Sequence, residues 1–497
     1  MKKRVHQIEL FMKYPHEVQS EVFQKLIAQS KDTIWGKQHG YADIHRASAF
    51  TEQVPLQTYE ELKSFVARIQ KGEQNLLWPT EINWFAKSSG TTSDKSKFIP
   101  VSKEALEDCH YKAGKDLLAI YNHNHPDNNV YSGKSLILGG SSTINEFRKD
   151  SYYGDLSAII IKNLPFWVEF RTVPERQIAL MDKWEEKIEM MAQNVKNEDV
   201  TNIAGVPSWT LVLLRRILEI TGKNNITELW PNLELYMHGG VNFEPYESQF
   251  QALIPSRKMQ YYQSYNASEG YFGIQDNIGA KDMLLMLDYG IYYEFIPVEH
   301  SCEEQPKTIP LADVELGKNY EMVISTNAGL WRYRIGDTVQ FTTKFPFRIQ
   351  VSGRTKHFIN AFGEELVIDN AEKALTIACR ETGAQIRDYT AGPIYMEGAA
   401  QGGHEWLIEF ETEPPSLQDF ARILDHELKK LNSDYEAKRT GNLSLNFPLL
   451  RSLPRDTFYN WLKKKNKLGG QHKVPRLAND RKFLDEITRH HQETPTL

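Results

Sequence analysis

The sequence predicts an α/β protein in two parts, a large N-terminal domain of mixed sheets and packed helices over residues 1–353 and a smaller α+β domain over residues 354–497. Three observations predict it. The chain has 497 residues, well past the roughly 250–300 at which a single core stops growing. Short apolar runs of strand character alternate with longer amphipathic runs through the first part. After Gly353 the pattern restarts with its own helix-like and strand-like segments and ends in a basic, Gly-containing stretch from Thr457 to Asn479.

Taken in order, the region from about Ile8 to Lys37 places Val18, Val22, Leu26 and Ile27 on one helical side, and Glu60 to Gln70 predicts a second helix. Trp84-Phe85-Ala86 runs into a Ser/Thr/Gly cluster. Ser135 to Leu138 is a short strand closed by Gly139-Gly140. Gln177 to Val195 and Trp209 to Thr221 predict long helices. Strand candidates follow at Leu233–Met237, Met259–Tyr265, Tyr292–Ile296 and Tyr320–Ile324. The first two end in polar clusters, His238-Gly239-Gly240 and Asn266-Ala267-Ser268-Glu269-Gly270. In open α/β sheets ligands sit beyond the carboxyl ends of strands, so these clusters are expected to converge on one cleft. Beyond Gly353, helices are expected over Asp369–Thr382 and Ser416–Leu431, with a strand at Glu405–Thr412.

Composition narrows the function. Hydrophobic residues make up 40% and charged residues 25%, the balance of an ordinary globular protein. A formal net charge of −6 argues against nucleic acid as the main partner. Cys109, Cys302 and Cys379 lie far apart, which suggests neither a disulfide framework nor a zinc site and fits a reducing compartment. No run approaches the ~18 apolar residues of a membrane span. Met1-Lys2-Lys3-Arg4 is followed by His6-Gln7-Ile8-Glu9 rather than an apolar stretch, so no signal peptide is expected. The expectation is a cytoplasmic protein without a membrane partner; oligomeric state is not legible.

The segment Ser88-Ser89-Gly90-Thr91-Thr92-Ser93-Asp94-Lys95-Ser96-Lys97 is rich in hydroxyls around one glycine. Hydroxyls and open backbone N–H groups donate to phosphate oxygens, glycine allows close approach, and lysine supplies charge. The Walker pattern of a P-loop is absent. The same composition also suits an ordinary surface loop.

The motifs in series go further. Ser-Ser-Gly-Thr-Thr with Lys97 is followed by Tyr265-Asn266-Ala267-Ser268-Glu269, Tyr333-Arg334-Ile335-Gly336-Asp337 and Ser352-Gly353-Arg354. Gly205-Val206-Pro207-Ser208-Trp209, Ile359-Asn360-Ala361-Phe362-Gly363-Glu364 and Gln471-His472-Lys473-Val474-Pro475-Arg476 complete the set. This order and spacing resembles the adenylate-forming superfamily, which includes firefly luciferase and acyl-CoA ligases. More narrowly, it resembles the auxin-responsive promoter family of acyl acid amido synthetases, over nearly the whole chain.

The resemblance implies ATP and Mg²⁺ as cofactors, a small carboxylic acid and an amino acid as partners, and a mobile C-terminal domain. Ser88, Ser89, Gly90, Thr91, Thr92 and Lys97 match the phosphate loop. Glu269, after Ser268, matches the carboxylate that helps hold Mg²⁺; an ion-paired structural glutamate is the plainer alternative. Tyr265 and the Gly239-Gly240 turn match positions flanking adenine, although a buried core tyrosine is ordinary. Asp337 matches the ribose-binding acid, against a simple Asx turn after Gly336. Arg354 matches the arginine at the domain junction, with Lys356 beside it. Lys473 matches a lysine that bridges carboxylate and α-phosphate in the transition state, against a solvated basic face. Cys109 to Asp116 and Val206 to Trp209 correspond to the acyl side, but His110, Tyr111 and Lys112 receive no role.

The implied reaction is acid plus MgATP to acyl adenylate and pyrophosphate, then attack by an amine to give an amide and AMP. Thioester formation with coenzyme A, and a non-catalytic nucleotide-binding protein of the same fold, are the alternatives.

Overall fold

Apolar spacing makes the start of the chain helical, and prolines and caps decide where it breaks. A computed structural model describes residues 2–89, 96–139, 144–181, 183–241, 243–244, 246–301, 303–354, 358–396, 401–442, 444–464 and 475–493. The helix expected from Ile8 to Lys37 is three helices, Lys2–Lys13, Pro15–Ser30 and Ile34–Gln38. Pro15 lacks an N–H and fits the first turn of a helix but not its interior. Thr33 starts the third helix, its hydroxyl accepting from the Gly36 N–H at 2.9 Å. Gln19 anchors these helices to the sheet by donating to the carbonyls of Leu287 and Ile291 at 2.8 and 3.0 Å.

Among the described residues the main sheet has twelve strands. Seven strands, each antiparallel to its neighbour, form one half, in the order Ile309–Pro310, Ile291–Pro297, Asn319–Thr326, Tyr333–Lys344, Phe347–Arg354, Met283–Leu285 and Gly270–Ile274. The other half follows as Gln260–Ala267, Leu235–Gly239, Val200–Gly205, Lys134–Ile137 and Thr172–Val173, all parallel to one another. Helices Trp184–Val195 and Pro207–Thr221 bury Met191, Leu211, Leu214 and Ile217 against this parallel half. The helix expected over Gln177–Val195 is divided, with a short turn at Arg176–Ala179 preceding Trp184–Val195.

A second sheet runs in the order Ser96–Val101, Trp84–Ser89, Ser151–Gly154, Asn145–Arg148. Its first two strands carry apolar runs, Phe98-Ile99 and Trp84-Phe85-Ala86. The last two are short and contact the first through a three-ring cluster of Phe98, Phe147 and Tyr153, with Phe147 and Tyr153 stacked at 4.3 Å.

The smaller C-terminal part has a three-stranded sheet ordered Gln385–Ile394, Gly403–Thr412, Leu449–Leu453. Helices Ile368–Thr382 and Leu417–Leu431 pack on it through Ala374, Ala378, Phe420 and Leu424. Their apolar stripes are clear in the sequence, and Ser416 caps the second by accepting from the Asp419 N–H at 3.1 Å. The core of this part is continuous with that of the parallel half through Trp209, Tyr246 and Phe362. Among the described residues no helix is long and apolar enough to cross a membrane.

Candidate active site

Parallel pairing puts the carboxyl ends of four strands, at Ile137, Gly205, Gly239 and Ala267, along one edge of the sheet. The polar clusters therefore converge, as the strand pattern predicts. At the Gly239-Gly240 turn a Cβ on Gly239 would lie 2.6 Å from the Ser264 carbonyl oxygen, and Gly240 has φ +81°. Both positions demand glycine.

Three of the residues singled out by sequence meet beside this turn. The Tyr265 hydroxyl donates to Asp337 Oδ2 at 2.7 Å, and both residues are buried. The Tyr265 ring lies 4.9 Å from that of Phe272. Ser268 and Glu269 form the tight turn between Gln260–Ala267 and Gly270–Ile274, where Ala267 pairs with Gly270. Burial pushes the Glu269 carboxyl up to about 7. Lys97 opposes that rise, while the charges of Asp337 and Glu365 add to it. Side chains from four separate segments thus share one electrostatic neighbourhood.

Lys97 lies on a strand that pairs with the strand leading into the hydroxyl-rich segment. Ser88 pairs with Lys97 and Ser89 with Ser96 across antiparallel strands. Gly90, Thr91 and Thr92 lie outside the described residues, as do Lys356 and Lys473 and the side chains of Ser89 and Arg354. The Arg354 backbone is the register partner of Asp337.

The start of the C-terminal part lies against this edge. The Asn360 side chain donates to the Gly240 carbonyl at 3.1 Å. Glu364 accepts from the N–H groups of Ala361 and Phe362 and pairs with His404 at 2.8 Å, with both side chains fully buried. The Phe362 carbonyl accepts from the Trp209 indole N–H at 3.3 Å, and the Ala361 carbonyl from the Tyr246 hydroxyl at 2.5 Å. Polar backbone in this turn is satisfied by side chains of both parts.

The structure gives surroundings to Cys109, His110 and Lys112, in the segment that the resemblance places on the acyl side. A π-helical turn at Ala105–His110 leads into Tyr111–Asn124. Cys109 is buried and accepts from the Tyr271 N–H at 3.3 Å, and burial pushes its thiol up to about 12. Burial holds the His110 imidazole down to about 4, so it is neutral at physiological pH. Lys112 donates to the Asp288 carbonyl at 2.7 Å and to its carboxylate at 3.0 Å. Arg4 joins Asp288 to Asp116, so Lys112 belongs to an ion network that ties the first helix to the sheet. Sequence reasoning also missed Lys87, Asp155, Glu365, Asp434 and Lys438, whose charges act on one another across the seam between the two parts. They come from distant segments, and no spacing connects them.

Among the described residues no group of three or more His, Cys, Asp or Glu forms a metal cage. A half-buried carboxylate with raised proton affinity does fit a cation whose other ligands come from phosphates and water.

Comparison with known proteins fits this geometry. The GH3 family N-terminal domain matches residues 4–259, the GH3 family central domain residues 284–354, and the GH3 family C-terminal domain residues 369–482. The chain belongs to the GH3 family, the acyl acid amido synthetases that its motif series resembles. An indole-3-acetic acid-amido synthetase, GH3.3 of Arabidopsis thaliana, is 24% identical, covering 93% of this chain and 89% of that protein. The jasmonoyl–L-amino acid synthetase JAR6 of Nicotiana attenuata is 24% identical over 95% of this chain and 93% of its own length. The solved structure of the GH3.15 acyl acid amido synthetase shares the fold with a TM-score of 0.63 at 17% identity, over 98% of this chain and 96% of that one. A 2-hydroxyisobutyryl-CoA ligase shares it at 0.56 and 12% identity, over 97% and 93%.

Proposed function

We propose that this chain is an AMP-forming ligase that activates a small carboxylic acid with ATP and transfers the acyl group to an amine, an amino acid. A carboxylate oxygen attacks the α-phosphorus, and the bond to the departing pyrophosphate breaks. The neutral amine nitrogen then attacks the acyl carbon, the bond to the AMP oxygen breaks, and the nitrogen releases one proton and keeps the other as the amide N–H. The observation that carries this reading is the meeting of Glu269, Lys97 and Asp337 at the carboxyl edge of the parallel strands in a GH3 chain.

The central problem of the first step is bringing two anions together. Lys97 and the hydroxyls of Ser88, Ser89, Thr91 and Thr92 surround the phosphates, with Gly90 allowing close approach. Asp337, held by Tyr265, accepts the ribose hydroxyls. The Gly239-Gly240 turn and Tyr265 bound the adenine, and Arg354 lies at the junction. Glu269 would hold Mg²⁺, which would supply further neutralisation of the phosphate charge. Lys473 bridges carboxylate and α-phosphate in the transition state, carried there by a C-terminal domain that begins at residue 354 and moves between the half-reactions. A cytoplasmic site of action fits the three dispersed cysteines.

The test is ATP–pyrophosphate exchange with a panel of aromatic and aliphatic acids, followed by AMP release with amino acids or coenzyme A. Exchange with at least one acid and AMP release with amino acids is expected. AMP release with the thiol alone overturns amide formation, and tight ATP binding without exchange overturns catalysis. Lys473→Ala should lower exchange by about a hundredfold; unchanged exchange removes the lysine from the reaction.

A further inference from the structure

A cavity of about 350 Å³ opens where strand Ile309–Pro310 ends the antiparallel half of the main sheet. It lies between helix Pro15–Ser30, the start of helix Ala47–Gln53 and the strand Ile291–Pro297. None of the residues assigned to ATP, Mg²⁺ or acyl transfer lines it. Its volume is that of a pocket for a small molecule.

The floor is aromatic and the rim is rich in donors. Phe23 and Tyr292 are buried, at 4% and 7% exposure, and their ring centroids stand 5.0 Å apart at 51°. Pro310 and Leu311 extend the apolar surface, and Ala47 contributes only a methyl group, which leaves space above the rings. On the helix, His16, Ser20 and Gln24 recur at intervals of four and so share one face. His45 and Arg46 join them, and all five are exposed. No Asp or Glu belongs to the lining. Among the described residues Ser20, Gln24, His45 and Arg46 make no side-chain hydrogen bond or ion pair. The Tyr292 hydroxyl also makes no hydrogen bond to them; burial and the charge of Glu294 hold it protonated, so it remains a donor. The Glu294 carboxylate is itself paired with Arg332 at 2.9 Å, which leaves the Arg46 guanidinium without an opposing charge at the cavity.

We propose that this cavity is a second ligand site and that it takes a small aryl carboxylate, its ring on Phe23 and Tyr292 and its carboxylate toward Arg46. A guanidinium fork matches a carboxylate with two parallel hydrogen bonds, and aromatic rings gain from tilted or edge contacts with one another. A neutral arene leaves the donors of the rim unused, bare phosphate leaves the rings uncovered, and Arg46 repels a cation. The site is independent of the ligase reading, and the two can fail separately.

The experiment titrates the full chain, without ATP, with anthranilate, whose fluorescence reports transfer from water to an aromatic surface. Saturable binding is expected. Arg46→Met, Ala47→Phe, which fills the space above the rings, and replacement of the ligand by its neutral amide, anthranilamide, should each weaken it by at least about tenfold. Inorganic phosphate should displace anthranilate at least about tenfold less well than benzoate does. Arg46 is exposed, so Arg46→Met should keep the thermal midpoint of the wild type and decides the question if Ala47→Phe fails to fold. Unchanged affinity in Arg46→Met, or equal binding of anthranilamide, overturns recognition of the carboxylate. Unchanged affinity in a folded Ala47→Phe, or phosphate competing as well as benzoate, overturns the aromatic seat. Binding at the adenylation site would survive both substitutions, and absence of saturable binding removes the site altogether.

Discussion

Replacing Glu269 with glutamine should stabilise the empty protein while removing its activity, and the size of both effects follows from where the carboxyl lies. Its proton affinity is raised from the ordinary 4.5 to about 7, chiefly by burial. At about 1.36 kcal/mol for each tenfold in proton affinity, holding the ionised form in the fold at pH 8 is unfavourable by about 3 kcal/mol, an upper bound for a half-buried group. Because the folded value lies above the unfolded one, the favourable contribution of the protonated form is fully present below pH 4.5 and is lost as pH rises through about 7. Glutamine is neutral throughout and escapes that loss. Glu269→Gln should therefore raise the thermal midpoint at pH 8 by about 3–5 °C and change it little at pH 5. In the same variant, exchange supported by MgATP should fall by about a hundredfold, because the anion that attracts the cation is gone. Differential scanning calorimetry at the two pH values, paired with the exchange assay, measures both. A variant less stable than wild type at pH 8, or equally stabilised at both pH values, would refute the reasoning.

Two further substitutions probe the supports of the site. Tyr265→Phe removes the donor to Asp337 Oδ2, a buried bond to a charged group, and should raise the KM for ATP by about tenfold and lower stability by about 1–3 kcal/mol; titration with ATP and urea unfolding read the two effects, and an unchanged KM would separate the tyrosine from nucleotide binding. Glu364→Ala leaves the Ala361 and Phe362 N–H groups and His404 without their acceptor in a fully buried place, and should destabilise by about 3–5 kcal/mol. Hydrogen exchange at those two amides should rise with it, and protected amides in the variant would contradict the assigned role.

Much of the architecture was written in periodicity. Ile368–Thr382 and Leu417–Leu431 show their apolar stripes without help, as do strands Ile291–Pro297 and Asn319–Thr326. The helix expected from Ile8 to Lys37 was located but not divided, because amphipathic spacing continues across Pro15 and only backbone chemistry stops it. Strands Asn145–Arg148 and Ser151–Gly154 were invisible, since their stability comes from Phe98, which lies far from them in sequence.

For the site, the sequence by itself determined the residue types and their order. Glycines at 239 and 240, the Ser268-Glu269 turn, Asp337 and the Ser88–Lys97 segment are local patterns, each set by backbone conformation or by chemistry within a few residues. Only the tertiary structure decided which side chains share a field. Tyr265 meets Asp337 across 72 residues. Lys112, near the expected acyl side, turned out to serve an ion network with Arg4 and Asp288. The Lys438 ammonium stands over the ring of Trp209, which lies more than two hundred residues upstream at the end of a strand of the parallel half. Periodicity and turn chemistry act over one or two turns of chain, whereas burial and Coulomb interaction depend on distance in space, which is fixed only when the strands pair.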